Sequence, residues 1–188
     1  MRTGIKILLA VVAIIALAVF SLLGLYNRLV GASERIDGQW AQVETQYQRR
    51  LDLIPNLVES VKGAQAQEVR VFGENLAEAR TRYGGAATIS DKIAAANQLE
   101  STIGRLLVIL ENYPELRSTE TMQSLMVELE GTENRIGVER RRYNEQVRDY
   151  NVTIKRFPAR VFAGLLGFGE RPYFEASQGA EQAPSVKF

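Results

Sequence analysis

The sequence predicts an all-α protein: a single N-terminal transmembrane helix followed by an antiparallel up-down-up-down four-helix bundle. Three observations carry this expectation. Positions 7–27 form an uncharged apolar run, apolar residues beyond it recur at three- and four-residue steps, and no stretch alternates with the period of two that a strand requires.

The apolar run reads ILLAVVAIIALAVFSLLGLYN, 21 residues between Lys6 and Arg28. As a helix it extends about 32 Å, against a hydrocarbon core of about 30 Å. A helix pairs every backbone donor and acceptor within one segment, which lipid demands. Tyr26 stands at the end of the run, where an aromatic anchor belongs. Ala16, Leu17 and Ala18 resemble a signal-peptidase site, but the run outlasts the roughly 7–15 residues of a secretory core, so an uncleaved anchor is expected. Arg2 and Lys6 on one side nearly balance Arg28 and Arg35 on the other. The adopted orientation puts the N-terminus in the cytoplasm and the bundle outside.

The first bundle helix is expected over about 27–51, with Leu29, Ile36, Trp40, Val43 and Tyr47 on one face. Pro55 removes a ladder hydrogen bond and disfavours helical geometry at Ile54. A tight turn is therefore placed at 52–55, with Asp52 capping the next helix; a kinked continuous helix is the alternative. The second helix, about 55–83, carries Val58, Val61, Val69, Phe72, Leu76 and Ala79 and stops at Gly84 and Gly85. Thr88 and Asp91 then form a capping box for the third helix, which runs to about residue 112. Its segment 106–110 (LLVIL) is apolar on every side and is expected to be the most buried turn, with Leu107 in the core. Pro114 ends that helix, and Ser118 or Thr119 caps the fourth, about 118–156. Its stripe is Leu125, Leu129, Ile136, Tyr143, Val147, Tyr150, Ile154 and Phe157, the last five in a coiled-coil-like 4, 3, 4, 3 spacing. Pro158 stops it. The domain order is thus a charged N-terminus (1–6), the anchor (7–27), the bundle (28–157), a short apolar segment (158–176) and a flexible tail (177–188).

Composition excludes much chemistry. Basic and acidic residues nearly cancel, 23 against 22, so no global field draws the chain to nucleic acid. With neither Cys nor His, thiol nucleophiles, His-assisted triads, Cys/His zinc sites and phospho-histidine relays have no residues to run on. No nucleotide loop is present, since the glycines at 164, 167 and 169 follow no strand.

Several groups stand out. Arg49, Arg50 and Asp52 read either as a partner-binding site or as an internal network in which one arginine pairs a carboxylate on a neighbouring helix; the network is favoured. Glu44, Glu68, Glu111 and Glu133 sit on different predicted helices, but a di-iron bundle also needs Glu-x-x-His, so no metal or cofactor is expected. Tyr143 with Asn144 and Tyr150 with Asn151 repeat after seven residues, read as core tyrosines with asparagines bonding nearby backbone. Phe157, Val161, Phe162, Leu165, Leu166 and Phe168, flanked by Lys155, Arg156 and Arg171, suit either membrane-interface contacts or a cap over the bundle's open end.

The blocks QRRLDLIPNLV (48–58), LLVILENYPEL (106–116), EGTENRI (130–136) and YNEQVRDYN (143–151), followed by Phe157 and Pro158, resemble the LemA family of bacterial membrane proteins. The likeness spans most of 26–174. It adds Pro55, Asn56, Tyr113, Pro114, Asn134 and Arg135 to the candidate interaction or structural residues. It implies a single-pass bacterial inner-membrane protein without established catalysis, and the family's similarity to a magnetosome membrane protein implies membrane organisation as one role. One departure is local: the family pattern often has His before the mid-helix Glu, where this chain has Gln67 before Glu68. The expected function is a non-enzymatic, membrane-anchored interaction or scaffold module. It would hold the lipid bilayer through 7–27 and an unidentified protein partner or a second copy, with no small-molecule substrate. A lipid-organising protein and a carboxylate-based metal-dependent sensor or enzyme are the alternatives.

Overall fold

The structure is a computed structural model that describes residues 2–62 and 67–175, apart from the side chains of 2, 62 and 67–70. Among the described residues there are six helices: α1 (Arg2–Lys62), α2 (Gln67–Gly85), α3 (Ile89–Glu111), α4 (Pro114–Arg117), α5 (Glu120–Lys155) and α6 (Ala159–Phe162). Among the described residues there is no strand, so the all-α class holds. The predicted tail at 177–188 lies outside the described residues.

The largest correction concerns α1. Anchor and first bundle helix are one uninterrupted helix of 61 residues with Pro55 inside it, so the tight turn at 52–55 and the Asp52 cap do not exist. Of the two sequence readings, the continuous helix is the right one. The reason is burial. A proline within a helix costs about 3 kcal/mol, but Leu51, Ile54, Leu57 and Val61 are all buried around it while Pro55 itself is exposed. Unwinding at Pro55 would break that stripe, and each of its large side chains stabilises by about 1.5–3 kcal/mol when buried. The second helix accordingly starts at Gln67.

One helix among those described, α1, is long and apolar enough to cross a membrane, and none of its apolar window is buried. Ile14, Leu17 and Phe20 are 66%, 71% and 74% exposed, so this stretch has no protein core to face.

The chain divides into two compact units: Met1–Gln39 with Asn144–Arg171, and Trp40–Tyr143 with Pro172–Phe188. In the first, Leu29, Ile36, Val147, Tyr150 and Ile154 form the core. In the second, α2 and α3 pack side by side across a link of three residues, 86–88. The predicted Thr88 cap is present, with Asp91 engaged through the hydroxyl rather than the backbone N–H of a full capping box: the Asp91 N–H donates to Thr88 Oγ1 (3.1 Å), whose hydroxyl donates to the Asp91 carboxylate (2.7 Å). The Met122 N–H likewise donates to Thr119 Oγ1 (3.3 Å), making Thr119 rather than Ser118 the cap of α5.

Two expectations about burial fail. Leu106 and Leu110 are core residues, but Leu107 is half-buried and Val108 is 62% exposed, so 106–110 presents one face inward rather than all of them. Phe157 does not extend the α5 seam. The helix ends at Lys155, and Phe157 is 84% exposed.

An arginine in the seam

Along α1 the second unit's seam runs Trp40, Val43, Tyr47, Arg50, Ile54, Leu57 and Val61, at steps of 3, 4, 3, 4, 3 and 4, with Leu51 buried beside it. Arg50 thus occupies a position that the spacing reserves for an apolar side chain. It is 2% exposed. On α5 the seam runs Met122, Leu125, Leu129, Thr132 and Ile136, and there too a polar residue replaces a hydrocarbon.

The two substitutions meet. Arg50 Nε donates to Thr132 Oγ1 (3.3 Å), and its Nη2 donates to the Leu129 carbonyl (3.4 Å) and to Glu133. Its Nη1 lies 3.7 Å from Glu100 on α3. Glu100 also accepts from Arg140 and from the Tyr47 hydroxyl (2.6 Å), while Tyr47 accepts from Arg140. Two arginines and two glutamates from three helices therefore neutralise one another, which a buried charge requires. The Arg140 guanidinium lies over the Phe174 ring (4.1 Å) and near the Tyr47 ring (5.5 Å), which adds cation–π attraction.

Burial governs the electrostatics. It pushes the Tyr47 phenol above its ordinary range against the opposing pull of Arg140 and Arg50, and it does the same to Tyr83, with Glu44 adding to the shift. It lowers the Arg140 guanidinium, an effect that Arg50 reinforces and Tyr47 opposes. Tyr83 stacks on Tyr47 at 5.2 Å, yet its hydroxyl is buried with no hydrogen-bond partner.

Beside Arg50 a cavity of about 300 Å³ opens between α3 and α5. Its walls are Glu100, Ile103, Gly104 and Leu107 on one helix and Met126, Leu129, Glu130 and Glu133 on the other. Both sets follow the spacing i, i+3, i+4, i+7, so each helix turns one continuous face to the groove. Gly104 leaves room: a Cβ there would meet nothing within 4 Å. Exposed Val108 and Val127 lie one residue beyond Leu107 and Met126.

The other candidates fall elsewhere. Arg49 and Asp52 are exposed, and Asp52 accepts from Gln48 (2.9 Å). Pro55, Asn56, Glu111, Pro114, Asn134 and Arg135 are exposed, and Tyr113 is half-buried. The three glutamates whose side chains are described do not converge. Glu44 pairs with Lys92, Glu133 with Arg50, Glu111 faces solvent, and the Glu68 side chain lies outside the described residues. Among the described residues no group of three or more acidic side chains is placed to hold a metal ion. Tyr143 is buried, packs edge-on against Trp40 (5.3 Å) and donates to the Pro172 carbonyl (3.0 Å).

In the first unit Tyr150 and Asn151 are buried and Asn144 is half-buried. Asn151 bonds both backbone groups of Arg171, whose guanidinium donates to Ser33 (2.8 Å) and Asp37 (3.0 Å). Burial raises the Tyr150 phenol, Arg171 opposing and Asp37 reinforcing the shift. Val161, Leu165 and Leu166 are exposed; Phe162 and Phe168 are half-buried.

Sequence reasoning missed Tyr47 as a polar participant, and also Glu100, Thr132 and Arg140. A signal existed for Thr132 and Arg50, because both interrupt an otherwise apolar seam.

Residues 39–188 match the LemA family. The chain belongs to the LemA family. Among named relatives, the LemA-family chain is 28% identical to the magnetosome proteins MamQ 1 and MamQ 2 of Paramagnetospirillum magneticum, over 89% of its own length and 69% of theirs. It is 26% identical to the magnetosome protein MamQ of Magnetospirillum gryphiswaldense, over 92% of its length and 73% of the relative's. The matched region takes in the whole Arg50 cluster and the groove.

Proposed function

We propose that this LemA-family chain is a non-enzymatic module, anchored by a single pass of α1 in the bacterial inner membrane, that binds an amphipathic helix of a protein partner in the groove between α3 and α5. The N-terminus lies in the cytoplasm and the helices beyond the span form an antiparallel up-down-up-down bundle outside. The observation that carries the binding reading is the groove itself. Two helices present matched i, i+3, i+4, i+7 faces with apolar walls, the geometry by which helix-in-groove recognition works. Exposed Glu130 at its rim favours a partner helix with a basic flank. Against catalysis stands the pairing of Glu100 and Glu133 with arginines, which leaves no poised acid or base in the cluster.

The test is photo-crosslinking in intact membranes with probes at Leu107 and Met126 and a control at exposed Arg105. Gly104→Leu fills the groove where space is open and removes a helix-interior glycine, so the fold should hold while crosslinks are lost. Adducts at Arg105 equal to those at Leu107 would sink the groove reading. A crosslinked product at twice the chain's mass would make the partner a second copy.

A further inference from the structure

Residues 157–168 of the first unit expose more hydrocarbon than a water-facing surface segment accounts for. Phe157 and Leu165 are each 84% exposed and Val161 is 56% exposed, at successive four-residue steps. The opposite side holds Ala159 and Ala163, both buried. Arg156 and Arg160 keep the same spacing one position earlier; both are exposed and neither joins an ion pair among the described residues. The segment is held in one shape. The Phe168 N–H donates to the Ala163 carbonyl (2.9 Å) and the Gly167 N–H to the Gly164 carbonyl (3.3 Å), the paired bonds of a Schellman turn. Gly167 adopts φ +82°, which only glycine takes up without strain.

Its depth is set by a contact. The Phe168 ring lies 5.8 Å from the ring of Tyr26, edge to face. Tyr26 is the penultimate residue of the uncharged run, at the level where hydrocarbon gives way to headgroups if α1 spans the bilayer.

We propose that residues 157–168 form a foot embedded in the headgroup layer of the same bilayer, with Phe157, Val161 and Leu165 among the acyl chains and Arg156 and Arg160 on anionic phospholipid headgroups. The proposal rests on the single-pass reading of α1. Exposed apolar area, flanking cations and continuity with the end of the span all favour lipid as the occupant. The foot would double the first unit's hold on the membrane and fix the rotation of α1 about its axis, since only one face of that helix carries the segment.

The full chain has no cysteine, so single labels are unambiguous. Nitroxides at Phe157→Cys, Val161→Cys and Leu165→Cys are read in vesicles of phosphatidylethanolamine with phosphatidylglycerol, using Ile14→Cys and Glu145→Cys as references. Relaxation by oxygen should exceed relaxation by an aqueous nickel chelate several-fold at the three foot positions and at Ile14, with the reverse ratio at Glu145. Chelate-dominated relaxation at the foot with Ile14 still in lipid overturns the foot alone; chelate access at Ile14 overturns the span. Protection from both reagents at the foot would show a protein cover and overturn the lipid assignment. Changing Arg156 and Arg160 together to Gln should raise chelate access at Leu165→Cys at least twofold in anionic vesicles, and an unchanged ratio overturns the headgroup contact.

Discussion

Asn151 and Arg171 hold each other through two hydrogen bonds of opposite sense, both 2.9 Å: the Asn151 amide donates to the Arg171 carbonyl and its oxygen accepts the Arg171 N–H. A side chain here does what a β-bridge partner does, and it fixes the chain that leaves the exposed segment after α6. Asn151 is 4% exposed, so neither group has water to fall back on.

Asn151→Ala should therefore destabilise the first unit by about 1–3 kcal/mol. The sharper readout is limited proteolysis. Trypsin should cut after Arg156 or Arg160 several times faster in the variant, and equal rates would mean the pair does not restrain this segment.

Within the charged cluster the two glutamates should behave differently. The Glu100 side chain is 17% exposed and serves both arginines, whereas that of Glu133 is 54% exposed and serves one. Glu100→Gln should cost about 3 kcal/mol, because Arg140 then loses its carboxylate and buried Arg50 keeps only the one at the rim. Glu133→Gln should cost no more than about 1 kcal/mol. Urea denaturation of the two variants in detergent gives the comparison, and equal midpoints would overturn it.

Tyr47 and Tyr83 predict an alkaline limit. Both phenols are raised above the ordinary value of 10.0 by burial, so the native state keeps protons that the unfolded chain gives up. Stability conferred this way is complete below pH 10.0 and declines as pH climbs from there towards the native values. Phenolate absorbance should track loss of helix in that window. Tyr47→Phe, which removes a bonded hydroxyl, should cost about 1 kcal/mol, whereas Tyr83→Phe removes an unpartnered one and should be neutral or stabilising.

Helix α3 offers a contrast between neighbours. Leu106 is 2% exposed, and Leu106→Asp should unfold the second unit, because an unpaired buried charge exceeds the margin of a small helical domain. Leu107 lines the groove, so Leu107→Asp should leave the circular dichroism melt within a few degrees of wild type while weakening partner crosslinking. A collapsed Leu107→Asp melt would put that side chain back in the core.

Periodicity made most of the helices legible. The stripe of α1, that of α5 as far as Ile154, the Thr88 cap and the uncharged run stand where spacing put them. Pro55 misled because propensity was weighed locally. The same 3, 4 spacing that identified Tyr47 continues through Arg50 to Ile54, Leu57 and Val61, and counting Arg50 as a seam member would have carried α1 across the proline. Treating Arg49 and Arg50 as a pair hid the difference between an exposed and a buried side chain.

The rest of the cluster had weaker signals. Glu100 follows the buried Leu99 and Arg140 sits among exposed arginines, so neither spacing nor composition distinguishes them from solvated charges. Only the meeting of three helices does. Likewise the all-apolar turn at 106–110 gave no hint that Val108 would face outward, since periodicity cannot rank faces that are equally greasy.

A lone guanidinium in a hydrocarbon stripe also acts as an alignment key. Apolar rows tolerate sliding, because one leucine fits nearly as well as the next. Arg50 does not, for a shift of one heptad along α5 would part it from Thr132 and the Leu129 carbonyl together and strand its charge among methyl groups. Axial slippage of α1 against α5 is thereby confined to one setting, and an Arg50→Met chain should melt no lower yet exchange its amide protons less uniformly along both helices.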